Sequence, residues 1–173
     1  MCFRSVEARH LLLHGSNRLG VEQFEPREQG DFAGRPVCAV FATDDEIWPM
    51  YFAVVNRERV GGLINSCGHV SRDGVRRSRY LFAIRADPAD PASWRDGAVY
   101  AFSRAPFVQQ TQPREWLSFV AVEPLVEVPV SPGDFPFLAD VLPFGVGDTP
   151  TRMYLRQARL RWSASLRRRS GSR

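Results

Sequence analysis

The chain has 173 residues, 44% hydrophobic and 24% charged, enough apolar content for a buried core and too much for a disordered segment. Its formal charge of +4 hides a split: residues 1–148 hold 15 Arg against 19 Asp and Glu, whereas residues 149–173 hold 8 Arg and no acid. A uniformly basic nucleic-acid-binding domain is thereby excluded, and no apolar run reaches the roughly 18–20 residues that span a bilayer.

The first residues, Met1 to Glu7, carry no long apolar run and no small-residue cleavage site, so a signal peptide is not expected. Three cysteines (Cys2, Cys38, Cys67) show no disulfide-framework spacing, and a reducing cytoplasm is the expected compartment. Every basic residue is arginine, which fits the codon habit of a GC-rich bacterial genome.

In chain order, apolar runs predict strands at Leu11–His14, Pro36–Thr43, Tyr80–Arg85, Ala98–Ser103, Glu115–Val122 and Val126–Val130. Both alternating faces of Glu115–Val122 are apolar, which predicts a central strand covered on both sides. Thr43-Asp44-Asp45-Glu46 fits a capping box opening a helix, and Pro49 is expected to kink or shorten it. Val60-Gly61-Gly62, Asp87-Pro88 and Ser131-Pro132-Gly133 read as turns. A C-terminal helix is expected from Thr149-Pro150, with Thr as cap and Pro at its first position.

Strands outnumber helices, and long helices do not alternate with them. The expected class is α+β: a mostly antiparallel, split β-sheet core of about six strands with a few short helices, plus a basic C-terminal helix. The expected division is a domain over 1–148 and a basic amphipathic helix and tail over 149–173. In that tail Leu155, Ala158, Trp162 and Leu166 share one helical face by spacing, with arginines largely off it. Its expected partner is an acidic protein or a nucleic acid.

Dinucleotide-binding, phosphate-loop, zinc-protease and Cys-x-x-Cys motifs are all missing. Cys67-Gly68-His69 offers too few ligands for a metal site and reads as a loop. No metal is expected.

Three short stretches carry the functional signal. His14-Gly15-Ser16 closes an apolar strand with an imidazole, a close-approach glycine and a hydroxyl. Phe41-Ala42 is followed nine residues later by Tyr51 on the predicted helix. Glu115-Trp116-Leu117 opens a strand with a carboxylate.

In this order the three motifs resemble the ADP-ribosyltransferase fold, in its His-Tyr-Glu branch of diphtheria-toxin-like and poly(ADP-ribose) polymerase-like enzymes. The resemblance covers roughly residues 11 to 130. It implies NAD⁺ as co-substrate, with His14 on a ribose hydroxyl and Gly15 backbone groups on the nicotinamide amide. It further implies Tyr51 stacked on nicotinamide, Glu115 as the catalytic carboxylate, and Ser16 in the binding motif. Arg18 is the candidate for the pyrophosphate, because its planar fork suits phosphate. A small cytoplasmic mono-ADP-ribosyltransferase follows, a toxin of a toxin–antitoxin or phage-defence system, with an unidentified protein or nucleic-acid acceptor. Val40 replaces the family's earlier tyrosine, and Pro113 replaces a Gln or Glu that selects arginine acceptors. Val40 sustains the alternative of a catalytically inactive NAD-binding or interaction module. An RNA 2′-phosphotransferase is a further alternative, less well served by the Arg and His residues here.

Overall fold

The structure is a computed structural model and describes residues 11–30, 35–72, 74–110, 114–149 and 151–158. The chain is mixed α+β, built from mostly antiparallel sheets and a few short helices. It divides into two compact units, one from residues 1–55 and 94–135, the other from residues 56–93 and 136–173.

In the first unit, β1 (Leu11–Ser16), β6 (Gly97–Ser103) and β9 (Val126–Val130) form an antiparallel sheet in the order β1-β6-β9. A second sheet runs β2 (Arg27–Gly30), β3 (Pro36–Ala42), β8 (Trp116–Ser118) and β7 (Val108–Gln109), in the order β2-β3-β8-β7. The sheets meet where Leu13 and Thr43 exchange both backbone hydrogen bonds, at 2.7 and 2.9 Å. Leu12, Val40, Ala42, Tyr100, Phe102 and Phe107 are central to the core beneath them. Here β6 is the strand buried along nearly its whole length. The run expected as a long central strand, Glu115–Val122, is inner in its sheet but only three residues long. Beyond it Phe119 and Val120 are exposed.

Helix α1 (Trp48–Val54) follows β3, and its start differs from the expected capping box. Ile47 is the N-cap, and Asp45 supplies the bonds: its Oδ1 accepts from the amides of Ile47 (2.8 Å) and Trp48 (3.2 Å). Thr43 instead accepts from the Asp45 amide. Pro49 falls in the first turn, where the missing N–H costs nothing, so it starts the helix and does not kink it.

In the second unit, α2 (Arg57–Val60) leads into a hairpin of two ten-residue strands, β4 (Leu63–Arg72) and β5 (Val75–Ile84). The short β10 (Leu142–Pro143) adds to β5 in parallel. Cys67-Gly68-His69, expected as a loop, lies inside β4, where the ladder to β5 outweighs weak local strand preference. Helix α3 covers residues 151–158 and packs Met153 against Leu81, Ala83 and Leu142. The expected stripe is corrected in part: Leu155 is 58% exposed and Ala158 is also exposed, while Met153 and Gln157 are buried. Trp162, Leu166 and the rest of the expected helix lie outside the described residues. No described helix is long and apolar enough to cross a membrane.

Candidate functional site

His14 lies near the end of β1, where β1 and β3 diverge past the Leu13–Thr43 bridge. Its half-buried imidazole crosses that split, with Nδ1 2.7 Å from the Phe41 carbonyl oxygen. A carbonyl only accepts, so the proton sits on Nδ1 and, in the neutral ring, Nε2 is an acceptor. The ring edges of Phe24 and Phe102 fix its orientation, at centroid distances of 5.0 and 6.4 Å.

Gly15 is explained by packing. A Cβ built there would fall 1.9 Å from the Pro49 carbonyl oxygen of α1. Strand residues alternate in direction, so α1 covers the face of β1 opposite His14. Tyr51 belongs to that helix, and its ring is fully buried, with Phe52 and Phe135 each 5.7 Å away between centroids. In this conformation the ring presents no face to a ligand. Val40 is likewise part of the core.

The segment after Gly15 is pinned from three directions. Ser16 Oγ accepts from the Arg18 amide, and Asn17 donates to the Ala53 carbonyl at the end of α1 (2.7 Å). The buried Tyr100 hydroxyl donates to the Arg18 carbonyl (2.7 Å) and accepts from the Val21 amide (3.2 Å). Burial first, then the nearby Glu127 charge, hold the Tyr100 phenol above its ordinary value, against the lowering effect of the Val21 amide. Glu127 accepts from the Gly20 amide through both oxygens. This frame holds the Arg18 backbone and leaves the residue exposed.

Glu115 stands immediately before β8, and its carbonyl accepts from the Gln110 amide (2.9 Å). The β3–β8 register ends at Ala42↔Trp116, and Thr43, the residue after Ala42, bridges Leu13 of β1, so β1 and the start of β8 meet at the same end of the β3 segment.

Three neighbours of Glu115 escaped the sequence reading. Arg114 has a left-handed backbone (φ 73°) and donates to the Asp45 carboxylate at 2.5 Å. Arg104 lies over the Trp116 ring, 4.5 Å from its centroid, with Asp44 3.9 Å away. The Nε–H groups of Arg104 and Trp116 are buried and have no hydrogen-bond partner among the described residues. Asp45 in particular carried a signal, since aspartate is a preferred helix cap that accepts from the amides two or three residues after it, here Ile47 and Trp48. Gln112 and Pro113 lie outside the described residues.

No group of three or more His, Cys, Asp or Glu is placed to hold a metal among the described residues. Comparison with protein-family models, curated proteins and solved structures finds no match to this chain.

Proposed function

We propose that this chain is a mono-ADP-ribosyltransferase-like enzyme, or an NAD⁺ glycohydrolase, acting through Glu115. The observation that carries this reading is that β1, the strand of the His14-Gly15-Ser16 motif, and β8, which Glu115 immediately precedes, meet at the same end of the β3 segment, through Leu13↔Thr43 and Ala42↔Trp116. The unmatched N–H donors of Arg104 and Trp116, next to Glu115, are groups that ribose or phosphate oxygens would satisfy.

In this reading His14, anchored through Nδ1, holds a ribose hydroxyl by a hydrogen bond. Glu115 accepts a hydrogen bond from the nicotinamide-ribose 2′-OH. As the glycosidic bond breaks, positive charge grows on the ribose, and the fixed carboxylate stabilises that state more than the ground state. Gly15 offers backbone groups, and exposed Arg18 pairs with the pyrophosphate. Stacking of nicotinamide on Tyr51 requires Phe52 or Phe135 to move aside.

Nicotinamide release from NAD⁺ tests the reading. Glu115→Gln should fold and lose about 10²–10³ in rate, the usual cost of one preorganised electrostatic contact. An unchanged rate overturns the role of Glu115. Buried Tyr51 and Val40 favour a second reading, a non-catalytic module of the same fold. NAD⁺ binding without nicotinamide release would support it.

A further inference from the structure

The sheet edges differ in how they are guarded. β2 (Arg27-Glu28-Gln29-Gly30) is short and charged, β9 carries Glu127 and Pro129, and β7 and β10 are two residues each. The stretch of β5 beyond β10 holds Arg76, Arg77 and Arg79. The outer edge formed by β4 is ten residues long, and from Leu63 to Ser71 it holds no Asp, Glu, Lys, Arg or Pro. A long edge without charge or proline is a template for pairing with another chain.

The β4–β5 register fixes which backbone groups point outward. The Arg85 amide donates to the Gly62 carbonyl (2.9 Å), one step beyond Leu63↔Ile84, so Gly62 and Arg85 stand as a hydrogen-bonded pair. Such pairs alternate along an antiparallel ladder. Ile64, Ser66 and Gly68 therefore bond to β5, while the N–H and C=O groups of Leu63, Asn65, Cys67, His69 and Ser71 point away from it. Ile84 has the matching phase: it stands opposite Leu63, and its carbonyl turns to the Phe144 amide just after β10. Among the described residues no backbone hydrogen bond reaches the outward groups of Leu63, Asn65 or His69. β10 pairs only with Ala83 and Ile84, so the rest of the hairpin is a two-stranded ribbon, which is marginal on its own.

We infer that β4 pairs antiparallel with β4 of a second copy of this chain, about a twofold axis at Cys67. This centre alone brings all five outward residues into register: Cys67 meets Cys67, Asn65 meets His69, and Leu63 meets Ser71. Each pair exchanges two bonds, about ten in all, the number a typical protein interface carries. The two ribbons become one four-stranded sheet in the order β5-β4-β4-β5, past the three strands that independent stability requires. The arginine-bearing β5 strands then lie three strand spacings apart, about 14 Å, beyond the Debye length of about 8 Å at physiological salt. Like charge is thereby kept away from the seam. An acidic peptide is less well matched, because the edge offers no Lys or Arg from Leu63 to Ser71. The pairing is independent of catalysis by Glu115.

The test is sedimentation velocity of the full chain over a concentration series, with Cys2→Ser and Cys38→Ser so that Cys67 is the sole thiol. The chain should pass reversibly from monomer to dimer. In the inferred register the two Cys67 Cα atoms lie about 5.5 Å apart, inside the roughly 4.4–6.8 Å that a disulfide spans, so oxidation by diamide should link the dimer. Asn65→Lys with His69→Lys sets like charges opposite each other twice and should raise the dimer dissociation constant about tenfold. Asn65→Lys with His69→Glu sets opposite charges there and should keep the dimer. Circular dichroism reads whether each variant folds, and if the lysine pair does not, the cross-link decides alone. A folded chain that stays monomeric through the series overturns the assignment. So does a dimer that yields no Cys67 cross-link, or one that the folded lysine pair leaves as tight as before.

Discussion

Asp45 and Arg114 are tied at 2.5 Å, although 69 residues separate them in the chain. The aspartate is fully buried while the arginine side chain is about two-fifths exposed. One carboxylate thus serves two ends: Oδ1 starts α1 and Oδ2 holds the backbone from which Glu115 enters β8. Breaking the pair from the arginine side leaves a buried charge, discounted here because Arg114 is partly solvated.

Asp45→Asn should therefore cost about 2 kcal/mol in a urea titration, because the amide oxygen keeps the caps and loses the ion pair. At Arg114 a glycine should destabilise less than an alanine, by about 1 kcal/mol, since the left-handed backbone penalises a Cβ. Equal stabilities for the Gly and Ala variants would contradict the strain at φ 73°. If Glu115 is catalytic, Asp45→Asn should also lower kcat for nicotinamide release and leave KM near its parent value.

Gly15 belongs to the functional motif and to the packing of α1 on β1, and the two roles separate experimentally. Gly15→Ala places a methyl against the Pro49 carbonyl, a backbone group that cannot rotate away. The expected cost is about 3 kcal/mol, the upper end for overpacking, or a fall in Tm of roughly 6–12 °C. A variant that melts with the parent would mean that α1 shifts without penalty.

Tyr100 gives the first unit an alkaline limit. The folded chain holds the phenol proton more tightly than the unfolded chain does, so its contribution is complete below pH 10.0 and is lost as pH rises past that value. Tyr100→Phe leaves the Arg18 carbonyl and Val21 amide unmatched and should cost about 1–3 kcal/mol at neutral pH. Above pH 10 the gap between parent and variant should narrow, as read from urea midpoints. A constant gap would remove the phenol from the alkaline transition.

Asp134 acts at the opposite end of the pH range. Hydrogen bonds from the Ser131 hydroxyl and amide hold its carboxyl below the ordinary value of 3.8, so its contribution is present above that pH and fades as pH falls. In Asp134→Asn, nuclear magnetic resonance should find the Ser131 amide shift independent of pH between about 2 and 5, where the parent shift titrates.

Much of the fold was legible because local physics decides it. β9 falls at Val126–Val130 as expected, and β3 and β6 lie within a residue of their expected bounds at one end or both. Apolar β-branched and aromatic runs bounded by turn residues need little help from elsewhere. The hairpin strand β4 was missed because Asn65-Ser66-Cys67-Gly68-His69 has weak strand preference, and its partner β5 supplies the hydrogen bonds. The Asp45 cap was misassigned to Thr43 and Glu46, since residue spacing alone does not say which oxygen reaches which amide.

By itself the sequence determined the α+β class, the order of the His14, Tyr51 and Glu115 motifs, and an all-arginine basic complement. These depend on residue type and short-range spacing. Only tertiary structure decided that Tyr51 is buried, that Gly15 serves helix packing, and that Arg114 is tied to Asp45. The physical reason is common to all three: each depends on which surfaces meet, and contacts between segments tens of residues apart are set by packing and strand register.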